Sequence, residues 1–204
     1  MYRTLLALSA AALFCTSVTQ ANMLENPGFE EGDYQRLNEN KLPGWETWGW
    51  NGWQFGDEGY TFGDKSIKLW GNHTGIFQDV AINAGDTVSF GIKGNLPNDN
   101  PANWDMELKM EFYNSSDMGF MLDKVTVNFD PQGLDSDTWY DIEGTAVAPE
   151  NADTVRFVFM FSDPAEGDNH SGDIYIDDAY ITVPEPASLA LFGLGGLAML
   201  RRRK

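Results

Sequence analysis

The chain has 204 residues, with 13 Lys and Arg against 31 Asp and Glu, a formal net charge of −18. Charge of this sign repels nucleic acid and anionic membrane surfaces, and it favours cation binding and solubility. The one cysteine, Cys15, lies in the N-terminal apolar stretch, so the remainder of the chain has no disulfide, thiol nucleophile or thiolate metal site.

The chain opens with Arg3, an apolar run from Leu5 to Phe14 and a polar stretch ending Thr19-Gln20-Ala21. That order is the order of a secretory signal peptide, with small residues one and three places before a cut that falls ahead of Asn22. The run is about half the ~20 apolar residues that a retained membrane helix needs. Bulky Phe14 directly before Cys15 argues against lipidation at that cysteine. Residues 1–21 are therefore expected to form a signal peptide helix that signal peptidase removes.

Residues 22–183 are of a size suited to one domain with a real core. The two ends hold five of the 13 basic residues and one of the 31 acidic ones, so this body carries 8 − 30 = −22. No long helical periodicity runs through it. Short stretches rich in aromatic and β-branched residues alternate instead with Gly, Asp, Asn and Pro, an all-β pattern. Strands are predicted at Ser66–Trp70, Gly75–Ile82, Thr87–Lys93, Glu107–Tyr113, Val125–Phe129, Trp139–Val147, Thr154–Phe161 and Ile174–Val183. Turn signals such as Asn83-Ala84-Gly85-Asp86 and Asp130-Pro131-Gln132-Gly133 separate them. Eight such strands suit a two-sheet sandwich. The Trp- and Gly-dense region from Gly44 to Gly63 shows little alternation and is expected to form loops over one edge.

Beyond Val183 come Pro184-Glu185-Pro186, an apolar segment from Ala187 to Leu200, and Arg201, Arg202, Arg203 and Lys204. An apolar segment ending in basic residues holds in a bilayer with those charges in the cytoplasm, which leaves the body facing outward. A buried helix in water is the poorer reading, because Gly193, Gly195 and Gly196 weaken it and it has no polar face. Residues 184–204 are thus expected to include a short transmembrane helix.

Val183-Pro184-Glu185-Pro186-Ala187-Ser188-Leu189, the Gly- and Leu-rich segment and the basic cluster together resemble the PEP-CTERM sorting signal of Gram-negative bacteria. The resemblance implies recognition by an exosortase, cutting near the Pro-Glu-Pro box, transient membrane anchoring and delivery to the cell envelope, surface or extracellular matrix. It also implies association with exopolysaccharide. A second resemblance spans most of the body. Asn26-Pro27-Gly28-Phe29-Glu30-Glu31-Gly32, Leu42-Pro43-Gly44-Trp45, Gly63-Asp64-Lys65-Ser66, Ala84-Gly85-Asp86-Thr87 and Asp173-Ile174-Tyr175-Ile176-Asp177-Asp178 are similar in order and spacing to secreted carbohydrate-binding modules. This implies a jelly-roll β-sandwich, a fold that also serves as a plain structural module.

That second resemblance implies a structural calcium ion on Glu30 and Asp177. Counting by two along the last strand supports the assignment, because Asp177 falls on one face with Tyr175, Ala179, Ile181 and Val183, and an inward carboxylate there needs compensation. Pairing with a backbone amide or a basic side chain is the alternative. Trp48, Trp50 and Trp53 crowd a short window beside Asn51 and Gln54, a combination suited to stacking on sugar rings and bonding their hydroxyls. Burial in the core is the competing reading for any Trp. His73 and His170 sit in polar turn contexts, and neither a phosphate cradle nor a nucleophile elbow is present. The sequence therefore reads as a non-enzymatic exported protein that binds exopolysaccharide, with a sugar-free structural protein and a small glycan hydrolase as alternatives.

Overall fold

The computed structural model describes residues 21–33, 42–49, 52–56, 63–71, 73–97, 105–130, 133–162 and 173–183. The predicted signal peptide and C-terminal helices lie outside them. No helix among the described residues is long and apolar enough to cross a membrane.

Ten strands are described: β1 (Glu46–Trp48), β2 (Gly52–Phe55), β3 (Ser66–Trp70), β4 (Thr74–Ala81), β5 (Thr87–Asn95), β6 (Asp105–Asn114), β7 (Asp117–Asn128), β8 (Trp139–Val147), β9 (Thr154–Ser162) and β10 (Asp173–Thr182). They form two five-stranded sheets, β1-β4-β9-β6-β7 and β2-β3-β10-β5-β8. Every pairing is antiparallel. The eight predicted strands are all present, and two more lie in the Trp-rich region that the sequence assigns to loops. β1 and β2 are three and four residues long and pair on one side only, with β4 and β3. Runs that short carry no readable alternation, and pairing with a longer neighbour makes them strands. β7 likewise begins eight residues before the predicted Val125. Its first half faces water on both sides, so it shows no apolar period and is held by its hairpin partner β6.

Alternate residues of each sheet point inward and meet in one core. Met106, Leu108, Met110 and Phe112 of β6 and Val155, Phe157, Phe159 and Phe161 of β9 face Val88, Phe90 and Ile92 of β5 across it. Each fully buried Phe or Leu stabilises the fold by roughly 1.5–3 kcal/mol. Trp45 and Phe29 join this core from the N-terminal segment, their ring centroids 5.2 Å apart, with Phe157 at 5.8 Å from Trp45 on the other side.

The N-terminal segment is sewn to the sandwich by side-chain amides. Asn26 donates to Pro43 O and accepts from Glu31 N–H, Gln54 donates to the carbonyls of Phe29 and Glu31, and Gln78 donates to those of Glu25 and Gly44. Trp45 closes the arrangement by donating its indole N–H to Asn26 O. β3 pairs with β10 only as far as Ile176. Past that point the N-terminal segment runs beside β10, with Ala179 N–H on Pro27 O and Met23 N–H on Ile181 O.

The inward face predicted for Asp177 by counting in twos is corrected by a bulge in β10. Its register against β5 shifts between Asp177 and Tyr180, and Asp178 adopts φ +49°. The extra residue changes the phase of the strand. Ile174 and Ile176 line the core before the bulge, and Ala179 and Ile181 after it. Asp177 therefore shares the outer face with Tyr175 and Lys93, opposite which it is paired, and still is only 2% exposed.

Candidate functional site

The outer face of the β2-β3-β10-β5-β8 sheet gathers aromatic and polar side chains in an unusual way. Lys68 and Trp70 on β3 stand opposite Tyr175 and Asp173 on β10, and Tyr175 stands opposite Asn95 on β5, which in turn pairs with Trp139 on β8. The Lys68 ammonium lies 5.3 Å from the Tyr175 ring centroid and 6.0 Å from that of Trp70, and it bonds the Asp173 carboxylate at 2.5 Å. Burial opposes charge on Lys68, but the hydrogen bond and charge of Asp173 outweigh it and raise its pKa. The ammonium is thus fixed, half-buried between two rings.

Asn95 lies at the floor of this face. It is 0% exposed, and neither its Nδ2 nor its Oδ1 has a hydrogen-bond partner among the described residues. Leaving a buried amide unsatisfied costs about 1–3 kcal/mol, and such groups in a folded chain call for an explanation. A ligand hydroxyl, which donates and accepts at once, satisfies both ends of an amide. Aromatic planes beside an amide and a fixed ammonium form a surface that stacks on a ring and bonds its hydroxyl groups.

The predicted tryptophans are divided. Trp48 sits on β1 in the other sheet, its ring packed over Gly75 and 6.2 Å from the Phe77 ring. Trp53 is on β2, opposite Lys68 in register, at the edge of the sheet that carries Asn95. Trp50 lies outside the described residues, as do Val183's successors Pro184, Glu185 and Pro186 and the cluster Arg201, Arg202 and Arg203. Val183 itself follows β10 and packs partly against the core. Asn95, Lys68 and Tyr175 escaped the sequence reading because each looks like an ordinary strand residue until the register of β3, β10 and β5 sets them side by side.

Glu30 and Asp177, the predicted calcium ligands, both border Gly28. A Cβ there would meet Asp177 Oδ1 and Glu30 Cγ, each at 3.8 Å. Glu30 Oε1 accepts from the backbone N–H of Asp64 at 2.9 Å, and Asp177 Oδ1 accepts from that of Asp178 at 2.7 Å. The carbonyls of Glu30 and Gly32 converge on one cation, the ammonium of Lys65. Two carboxylates and converging carbonyls are the donor types calcium takes. Among the described residues no three His, Cys, Asp or Glu side chains cluster to hold a metal, and the other donors they offer here are backbone oxygens. His73 is exposed at φ +53° in the β3–β4 turn, and His170 lies outside the described residues.

The last stretch decides where the chain goes: residues 182–204 match the PEP-CTERM protein-sorting motif. The chain carries a PEP-CTERM sorting signal. That signal marks an exported protein, anchored transiently at the membrane. No curated protein matches the chain. Solved structures share its fold. The module "Family 16 Carbohydrate Binding Module-2" is 19% identical with a TM-score of 0.55, over 79% of this chain and 99% of that one. TmCBM61, solved with β-1,4-galactotriose, is 17% identical with a TM-score of 0.52, over 80% and 99%. An apo cyclase from Fischerella sp. is 10% identical with a TM-score of 0.57, over 80% and 95%. The sandwich is thus the fold of carbohydrate-binding modules, and an enzyme uses it as well.

Proposed function

We propose that this PEP-CTERM protein is a non-enzymatic envelope or matrix component that associates with exopolysaccharide across the outer face of the β2-β3-β10-β5-β8 sheet. Signal peptidase releases the body at Asn22, the apolar segment from Ala187 to Leu200 holds it in the membrane, and an exosortase cuts near Pro184-Glu185-Pro186. The observation that carries the glycan reading is the buried amide of Asn95, without a partner among the described residues, flanked in register by Tyr175 and Trp139. On β3, across β10 from it, Trp70 supplies a ring and the Lys68 ammonium a donor to hydroxyls, with β2 and Trp53 along the edge. Asn95 is 0% exposed, so a sugar bonds its amide only as this face opens.

Retention on a panel of bacterial exopolysaccharides tests this. Asn95→Ala and Trp70→Ala are expected to lose retention, while Trp48→Ala, on the other sheet, keeps it. Equal retention by all three variants and the parent would sink the assignment of this face.

We further propose a structural calcium ion on Glu30 and Asp177, with backbone carbonyls of the N-terminal segment completing its shell. Their shared border at Gly28 supports it, and the Lys65 ammonium is the chain's own competitor for the same carbonyls. Millimolar calcium is expected to raise the melting temperature of the parent and not of Asp177→Ala. An unchanged melting temperature in both means that Lys65 alone ties those carbonyls.

A further inference from the structure

Large apolar side chains are not scattered over this surface. The exposed ones among the described residues are Met23, Phe120, Met121, Leu122 and Val147, and the pairing register places all five at one end of the sandwich. Val147 ends β8 opposite Thr87, the first residue of β5. Met121 stands opposite Tyr113, which pairs with Thr154, the first residue of β9. Met23 bonds Ile181, two residues before Val183. β10 runs out at this same end, where Thr182 pairs with Ser89 near the start of β5.

The chain therefore leaves the sandwich among its exposed apolar residues. Only Pro184-Glu185-Pro186 separate Val183 from the apolar segment that begins at Ala187. Three residues span at most about 10 Å. Wherever that segment enters a bilayer, this end of the sandwich stands against the bilayer surface. The hairpin of β6 and β7 reaches this end with Phe120 66% exposed. It is clasped to the body by Asp153, whose carboxylate accepts from the backbone N–H and the hydroxyl of Ser115 at 2.6 and 2.7 Å.

We infer that, while the protein is anchored, this end docks on the membrane, with Phe120, Met121 and Leu122 of the β6–β7 hairpin resting in the headgroup region of a lipid surface. The inference rests on the proposed membrane insertion of residues 187–200. Asp86, Asp117, Asp123, Glu150 and Asp153 lie on the strand ends and turns of this same end, against Lys124 on β7, so the lipid surface it fits is zwitterionic, since an anionic one would be repelled. Apolar side chains of such patches enter about 5–10 Å into the boundary between headgroups and acyl chains. Docking fixes the orientation of the body and holds the Pro-Glu-Pro box at the membrane surface, where a membrane-embedded protease acts.

Fluorescence in phosphatidylcholine vesicles tests it. The anchored form, residues 22–204, which has no cysteine of its own, is reconstituted carrying a polarity-sensitive probe at Phe120→Cys or, at the opposite end of β6, at Asp105→Cys. Both positions are exposed, so neither label burdens folding. Lipids bearing a shallow nitroxide are expected to quench the Phe120→Cys probe several-fold more than the Asp105→Cys probe, and adding anionic lipid is expected to weaken the difference. Equal quenching at both positions overturns the inference. A blue-shifted Phe120→Cys probe that nitroxide lipids do not quench also overturns it, because the patch is then covered by protein, either a second copy or the chain's own apolar segment. A chain that does not float with the vesicles at all removes the membrane insertion on which the inference rests, a failure visible before any quenching is read.

Discussion

At the scale of single residues, the clearest contrast is between two buried polar groups on one face. Asp177 takes one bond from its own backbone, since the Asp178 N–H at the bulge donates to its Oδ1. Asn95 has nothing. A purely structural Asn at 0% exposure without partners only costs stability, so Asn95→Leu is expected to raise the melting temperature while abolishing polysaccharide retention; the two opposite changes are read on one purified variant. A fall in melting temperature would mean that Asn95 is bonded in solution and structural. Tyr180 offers a pH test. Burial and then its hydrogen bond to Glu143 push its hydroxyl up to about 12, from the usual 10, and Tyr113 is raised to about 12 by burial and Glu111. Between pH 10 and 12 the unfolded chain has lost these protons and the folded chain has kept them, so stability falls as pH rises through that window. Denaturant unfolding of Tyr180→Phe is expected to show a shallower loss across it than the parent does.

Elements show which features the sequence makes legible. The eight longer strands were readable because apolar and polar residues alternate or because turn residues bound them, and β8 matches its predicted range from Trp139 to Val147. β1 and β2 were not readable, because a strand of three or four residues exists only by pairing. The face of Asp177 was misread for a related reason. A one-residue bulge leaves no mark in composition, yet it exchanges the two faces of a strand. Within β10, Asp178 at φ +49° is the residue that accommodates it, and Asp tolerates this conformation better than a β-branched residue does. Asp178→Val is expected to destabilise by about 1–2 kcal/mol, and Asp178→Gly by much less, as read from urea midpoints. Equal costs would mean that the bulge is held by neighbouring contacts and not by the backbone preference of this residue.

For the whole molecule, the sequence makes its C-terminal sorting signal and its fold class legible and leaves the proposed binding face obscure. The sorting signal is contiguous, so its residues announce it together. The proposed glycan face is assembled from β3, β5, β8 and β10, whose order in the sheet follows neither chain order nor any local pattern. The tryptophan window, by contrast, was conspicuous in sequence and is divided in space, Trp48 going to one sheet and Trp53 to the other. The core is where the molecule is least tolerant. Phe29 and Trp45 join the N-terminal segment to β9, and Trp45→Ala is expected to cost about 3–5 kcal/mol and, in addition, to strand the Asn26 carbonyl that its indole satisfies.

Side-chain amide resonances give the most direct test of the account. Asn95 is to be followed by NMR in residues 22–183 while fragments of bacterial exopolysaccharides are added. One class of fragment is expected to move the Asn95 side-chain amide and the Trp70 indole signals together and to leave the Trp48 indole still. Binding that shifts Trp48 and spares Asn95, or no binding by any fragment, would contradict it.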